Sequence, residues 1–269
     1  MSHNRARILS EVLSLDAWHE PFRVDGNSSA VYVEMSFTEG RLGGSSADFP
    51  FTFKVSLKRA LLTVRLEAPL EIDRKTVARG VPSAEVELSK ILGIKSAAKS
   101  NTELAGKLSP ATFHLAATGA VASEDCVTQE EQIKIVQSVP EILVSPIPGD
   151  ARSYSWELQP SYRETLKGQP WNPVDSPRFR LKSLSNTSPL PPTITVEVTC
   201  ALEDLDISDL QPKDRGVMSN LKSLVLNEVS EAAAIQHLKL ILHDANLEPG
   251  HIDNRFASLL IANILAIPE

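Results

Sequence analysis

Short apolar alternation is the feature that most constrains the fold of this chain. In FPFTFKVSL, residues 49–57, an apolar side chain occupies every second position from Phe49 to Leu57. In TITVEVTCAL, residues 193–202, the apolar positions Ile194 to Cys200 alternate with threonine and glutamate. A period of two places one set of side chains on the buried face of a strand and the other set on the opposite face. The alternation predicts a protein built mainly from half-buried strands.

Further short segments with the same period support this prediction. They are AVYVEMSF (30–37), ALLTVRL (60–66), SYSWEL (153–158) and RFRLKSL (178–184). Many of their connections contain proline or glycine, which end strands and form turns. Many short strands with such connections predict a mainly antiparallel β-sandwich or open barrel. In RFRLKSL the pattern predicts that Phe179 and Leu181 lie in the core, whereas Arg178, Arg180 and Lys182 point away from it.

Three regions show helical spacing instead. Residues 5–18 carry Ile8, Leu9, Val12 and Leu13 three or four positions apart, and they predict a short N-terminal helix that ends before Pro21. A polar segment at 80–110 predicts a helical insertion near 83–107, with a partner-binding or substrate-covering loop as the alternative. Residues 220–247 and the apolar run 255–267 predict a C-terminal helical hairpin. The predicted fold class is therefore α+β.

This pattern predicts two parts of the chain. Residues 1–202 form a β-rich domain with the helical insertion at 80–110. Residues 203–269 form a C-terminal helical segment that packs on this domain or on a partner. The hairpin is also the predicted surface for self-association or for a protein partner.

Charge and hydropathy narrow the class of protein. The net charge is −7, and a protein that mainly holds a nucleic-acid backbone usually carries a basic surplus. No apolar run approaches the roughly 20 residues of a membrane-spanning helix, and no apolar stretch of signal-peptide length occurs near residue 1. These features predict a cytoplasmic protein without a membrane role. Cys126 and Cys200 are far apart and outside any metal-binding motif, which predicts two ordinary buried thiols.

The chain has no motif that identifies an enzyme or a cofactor site. It lacks GxxxxGK[ST], GxGxxG, GxSxG and HExxH. The acidic run 203–209 and the His/Asp/Glu loop 243–253 hold metal-ligand side chains, but a solvated connection is the favoured explanation for each, and metal binding stays open there. Asp175, Glu197 and Lys182 would suit a metal-dependent phosphodiester hydrolase if the fold brought them together.

The segment WELQPSYRETLKGQPWNPVDSPRFRLK, residues 156–182, combines two of the three tryptophans with several arginines and lysines. Such a composition fits a core lining, a protein interface or a single-stranded nucleic-acid surface, and we rank them in that order. Strand alternation places Trp156 in the core and so removes it from the candidate binding residues. The predicted binding residues are Trp171, Arg178, Arg180 and Lys182. The function predicted from sequence is a non-catalytic binding or assembly subunit of a soluble intracellular complex. The alternatives are a nuclease-like hydrolase and a single-strand binder without catalysis.

Overall fold

The architecture was obtained as a computed structural model. It describes residues 5–9, 12–22, 28–44, 51–78, 85–96, 129–172, 177–183, 193–212, 223–247 and 257–268. Contacts between Cα atoms divide the chain into two compact units. Unit 1 comprises Met1–Val86 with Val139–Glu269, and unit 2 comprises Glu87–Ser138. The predicted boundary after residue 202 divides a β-rich domain from a helical segment. The division by contacts does not test it, so it stays a prediction.

Most of the described chain is strand. In chain order the elements are β1 Arg5–Ile8, β2 Leu13–His19, β3 Ser28–Phe37, β4 Gly40–Gly43, β5 Phe51–Leu57, β6 Ala60–Leu66, β7 Leu70–Asp73, β8 Glu85–Ser96, β9 Gln129–Pro140, β10 Ile142–Pro148, β11 Ser153–Pro160, β12 Phe179–Ser183, β13 Ile194–Ala201, β14 Leu205–Pro212, α1 Ser223–Asp244 and β15 Ser258–Pro268. Two short 3-10 turns, Arg74–Thr76 and Leu202–Asp204, follow β7 and β13.

A ten-stranded sheet forms the larger part of unit 1. Its order is β10-β11-β6-β13-β15-β2-β3-β12-β7, and β1 pairs with β2 off this path. Its neighbouring strands pair antiparallel except for the short parallel contact of β15 with β2 at Ile267 and Pro268. The sheet curls, and its apolar face supplies much of the hydrophobic core. Alternation predicted this face correctly, since Val196, Val198, Phe179 and Leu181 are fully buried.

A second sheet completes unit 1. It has the order β14-β5-β4. The helix α1 contacts β14 and β5, and its buried residues Ala234, Leu238 and Leu242 recur at intervals of four. The ring of His237 on the same helix meets the ring of Phe53 edge to face at 6.2 Å. Among the described residues, no helix has both the length and the hydropathy needed to cross a membrane.

Unit 2 is built differently. Its described part consists of residues 87–96 and 129–138, which belong to a two-stranded sheet of β8 and β9, each strand 12 residues long. Within the described ranges, neither strand is paired with a strand of the other two sheets.

Three helical predictions are wrong. Arg5–Ile8 and Leu13–His19 form the antiparallel pair β1–β2, and Leu9, which follows β1, adopts a left-handed backbone (φ 54°) instead of a helical one. The predicted helix of the insertion near 83–107 falls on β8 over residues 85–96, and the rest of that insertion lies outside the described residues. The apolar run 255–267 falls on β15 from Ser258 onward, and this strand pairs with β13 and β2. Only the first helix of the predicted C-terminal hairpin exists, so the fold is mainly β rather than α+β with that hairpin.

Candidate functional site

The segment between β11 and β12 lies along one edge of β3. Strand β12 covers this edge only from Ser28 to Val31. Beyond that point, Gly168 exchanges two backbone hydrogen bonds of 2.9 Å with Phe37. The indole Nε1 of Trp171 donates to the carbonyl of Val33 at 2.6 Å. The backbone N–H of Arg178 donates to Val31 at 2.7 Å, so the aromatic segment continues the coverage where the strand is missing.

A buried arginine lies between two tryptophans at the end of this segment. The guanidinium carbon of Arg178 is 3.9 Å from the ring centroid of Trp171 and 5.5 Å from that of Trp156. Both tryptophans are buried, and Trp156 also stacks on Phe179 with centroids 6.2 Å apart. Arg178 itself is only 1% exposed. Tryptophan faces attract cations, so the two rings favour the guanidinium group.

The charge of Arg178 lacks a counter-ion in the described part of the chain. Its Nη2 donates to the carbonyl of Ala78 at 3.0 Å, and the backbone N–H of Ala78 returns a bond of 2.8 Å to the carbonyl of Arg178. Its Nε is buried and has no acceptor. Removal from water lowers the pKa of Arg178 to about 10, because burial disfavours the charged form. Keeping the guanidinium group of Arg178 charged at this site therefore costs desolvation free energy.

The predicted binding residues occupy two different environments. Trp171 and Arg178 are buried, whereas Arg180 and Lys182 are exposed. The expectation that Arg178 points away from the core with the other two is therefore wrong. It precedes β12 and does not share the outward face of that strand. As a binding set the four residues stay a prediction, but the structure brings only Trp171 and Arg178 together.

The exposed pair has structural contacts. Lys182 Nζ lies 2.8 Å from Asp73 Oδ2 on the neighbouring β7, and this bond lowers the pKa of the Asp73 carboxyl. The backbone N–H of Arg180 donates to Thr76 Oγ1 at 2.7 Å. These contacts hold β12 against β7 and the turn that follows β7.

The acidic run 203–209 is neutralised by basic residues of the neighbouring elements. Arg59 pairs with Asp204 at 2.7 Å and with Glu203 at 3.6 Å. Lys58 lies 3.4 Å from Asp206, and Lys54 lies 3.9 Å from Asp209. Within the described ranges no group of three metal-ligand side chains is close enough to hold an ion. In the loop 243–253, His243 and Asp244 end α1, and residues 248–253 lie outside the described residues.

The hydrolase residues are not brought together. Glu197 on β13 pairs with Arg65 at 3.0 Å, and Lys182 on β12 pairs with Asp73. Strands β15, β2 and β3 separate β13 from β12 in the sheet. Asp175 lies outside the described residues.

A shallow cleft of about 390 Å³ opens where β6 begins and β13 ends. Its lining includes Arg59, Glu157, Asp204 and the thiol of Cys200. Burial, with the negative charge of Asp204 nearby, raises the pKa of Cys200 to about 12, so the thiol is a poor nucleophile. The predicted buried thiol is confirmed for Cys200, and Cys126 lies outside the described residues.

Sequence reasoning missed the partners of the buried pair. They are the backbone carbonyls of Val33 and Ala78, which come from distant parts of the chain. Backbone acceptors leave no mark in a sequence, because every residue has one. The pairing of β8 with β9 was also missed, because the region of β8 was predicted to be helical.

Comparison with known proteins gives weak resemblances. No family model matches the chain, and no curated protein matches it. A crystal structure of the Clostridium perfringens NetB toxin in the membrane inserted form is 10% identical, with 70% of this chain and 77% of that chain covered and a TM-score of 0.28. A structure described as a pore forming protein is also 10% identical, with coverages of 70% and 79% and a TM-score of 0.22. Scores this low do not establish a shared fold.

These findings correct the predicted function and location. The similar structures are a membrane-inserted toxin and a pore forming protein, and neither is a subunit of an intracellular complex. The prediction of a cytoplasmic assembly subunit, with its hydrolase and single-strand-binding alternatives, is contradicted here and is not retained. The predicted partner surface is wrong for a structural reason, because the C-terminal helical hairpin does not form.

Proposed function

We propose that the protein inserts its two-stranded β8–β9 unit into a lipid bilayer, together with other copies of itself. The observation that carries this proposal is the length of the strands. Each has 12 residues, and a tilted strand needs about 9–11 residues to cross the hydrocarbon layer. The weak resemblance to a membrane-inserted toxin and a pore forming protein has no weight in the proposal.

The isolation of the unit supports the same function. A lone two-stranded sheet is marginally stable in water, since it has too little apolar surface to bury. Contacts nevertheless separate residues 87–138 from the rest of the chain. A two-stranded sheet therefore gains more free energy by moving to another environment than a strand that is already part of a large sheet.

The connection between the two strands has to pass through the hydrocarbon layer when the pair inserts, and it contains an uncharged stretch. Residues 108–123, LSPATFHLAATGAVAS, contain no aspartate, glutamate, lysine or arginine. A charge at the midplane of a bilayer costs about 2–4 kcal/mol for lysine or arginine on a lipid-facing strand. An uncharged stretch avoids this cost.

Insertion requires several copies. A two-stranded sheet has two edges whose N–H and C=O groups lack strand partners. Each such group costs several kcal/mol in hydrocarbon, where water cannot replace the partner. Pairing the edges of one copy with those of the next removes this cost, so the proposed partner is a second copy of the chain.

Dye release from vesicles tests the proposal. Purified full-length protein is added to phosphatidylcholine vesicles loaded with a self-quenched dye, and we expect release that rises steeply with protein concentration. Ala117→Arg places a charge in the uncharged stretch and should slow release at least tenfold, the effect of about 1.4 kcal/mol. Leu240→Arg adds the same charge at an exposed position of α1 and should release dye like the wild type.

Two results would contradict the proposal. One is the absence of release and of vesicle binding by the wild type. The other is equal release by Ala117→Arg and Leu240→Arg, which would show that the connection between β8 and β9 does not pass through the bilayer. Circular dichroism of both variants in water checks that they fold alike.

A further inference from the structure

The buried guanidinium group of Arg178 has more hydrogen-bond donors than its surroundings use. An arginine side chain offers five N–H groups. The side chain of Arg178 donates from Nη2 to the carbonyl of Ala78, whereas its Nε is buried without an acceptor. The nearest side chains are tryptophan rings, which present π faces and N–H donors. No carboxylate of the described residues pairs with it.

A second unused donor lies in the same part of the interior. Nε1 of Trp156 is also buried without a hydrogen-bond partner, and the ring that carries it is 5.5 Å from the guanidinium carbon. The indole of Trp171 differs, since its N–H already donates to Val33. Buried donors are almost always satisfied in folded proteins, so two orphans beside an unpaired charge require an explanation.

We propose that Arg178 and Trp156 bind a small inorganic anion of the halide class inside unit 1. A buried water molecule would accept hydrogen bonds, but it would leave the positive charge unbalanced. An anion supplies both the acceptor and the counter-charge.

Thermal stability in chloride tests the site. The full chain is unfolded in sodium gluconate and in sodium chloride at equal ionic strength, because gluconate is too large for a packed interior. A ligand at a hundred times its Kd raises the Tm of a protein of this size by about 5 °C or more. We expect that rise for the wild type. The rise should disappear in Arg178→Met and shrink in Trp156→Phe.

Arg180→Met is the matched control, since it removes an exposed cation two residues along the chain and should keep the full chloride response. Should Arg178→Met not fold, wild-type crystals soaked in bromide decide the question through an anomalous peak between Arg178 and Trp156. An equal chloride response in Arg178→Met would overturn the proposal. So would the same Tm in both salts, or a bromide-soaked crystal without that peak.

Discussion

The two buried tryptophans provide a matched measurement of one hydrogen bond. Trp171 and Trp156 are 2% and 0% exposed, so replacing either with phenylalanine removes a similar volume from a packed interior. Such a large-to-small change costs about 1–2 kcal/mol at each site, by analogy with other core truncations. The indole N–H groups differ, because only Trp171 donates, to Val33 at 2.6 Å.

Trp171→Phe therefore has an additional cost. It leaves the carbonyl of Val33 without its recorded side-chain donor on the edge of β3 that β12 does not cover. A buried acceptor without a partner costs about 1–3 kcal/mol. We expect Trp171→Phe to destabilise the protein by about 2–5 kcal/mol, and Trp156→Phe by about 1–2 kcal/mol when no halide is present.

Urea unfolding at 25 °C measures both values. Far-ultraviolet circular dichroism is the suitable signal, since each variant loses a fluorophore. Sodium gluconate buffer keeps chloride away from Trp156. The slopes of free energy against urea must agree between the variants, so that the midpoints report stability alone. Equal costs for the two variants would refute the role of the Trp171 hydrogen bond in covering the β3 edge.

Two further predictions concern the helix and the thiol. Leu238→Ala should destabilise the protein by about 2–5 kcal/mol in urea unfolding, because this side chain is only 2% exposed. Leu240→Ala removes a side chain that is 60% exposed and should change the stability by less than about 0.5 kcal/mol. Similar losses of stability in the two variants would show that α1 does not pack through the face that carries Leu238. Cys200 should resist iodoacetamide in the native protein at pH 8 and react in urea, because its folded-state pKa of about 12 keeps it protonated. Mass spectrometry of tryptic peptides checks this, and rapid native alkylation of Cys200 would contradict it.

Strand alternation was readable where the buried positions of a strand follow a strict period of two. The buried positions of β13 and β12 follow a strict period of two, and the sequence predicts them correctly. The last strand fails for a local reason. Its pairing with β13 shifts between Val198 and Thr199, so β15 contains an extra residue and its buried set becomes Leu259, Ile261, Ala262, Ile264 and Ala266. Intervals of three and four within that set imitate a helix.

The N-terminal error has a similar origin. Ile8, Leu9, Val12 and Leu13 lie on both sides of a turn rather than on one helical face. The turn depends on the left-handed backbone of Leu9, a conformation that leucine rarely adopts and that no sequence rule anticipates.

The candidate site was predictable in its residue types but not in its arrangement. Trp171 and Arg178 stood out because aromatic and basic residues are concentrated in one segment. Their burial depends on where β12 begins. Its first residue, Phe179, pairs with Val31, so the edge of β3 beyond Val31 is left for the segment to cover. That length is a property of the folded sheet, so the alternation of RFRLKSL alone placed Arg178 on the wrong side.

The two units differ in whether the edges of their sheets can pair with a further strand. In unit 1 the outermost strand β10 contains Pro146 and Pro148, whose missing N–H groups prevent a further strand from pairing there. At the other end of the sheet, the N–H of Ile72 on β7 donates to Ala151. Within the described ranges, β8 and β9 pair only with each other, so each retains an edge. If copies of this chain assemble through strands, these edges are therefore the ones that can pair, and the proline-bearing edge of β10 is not.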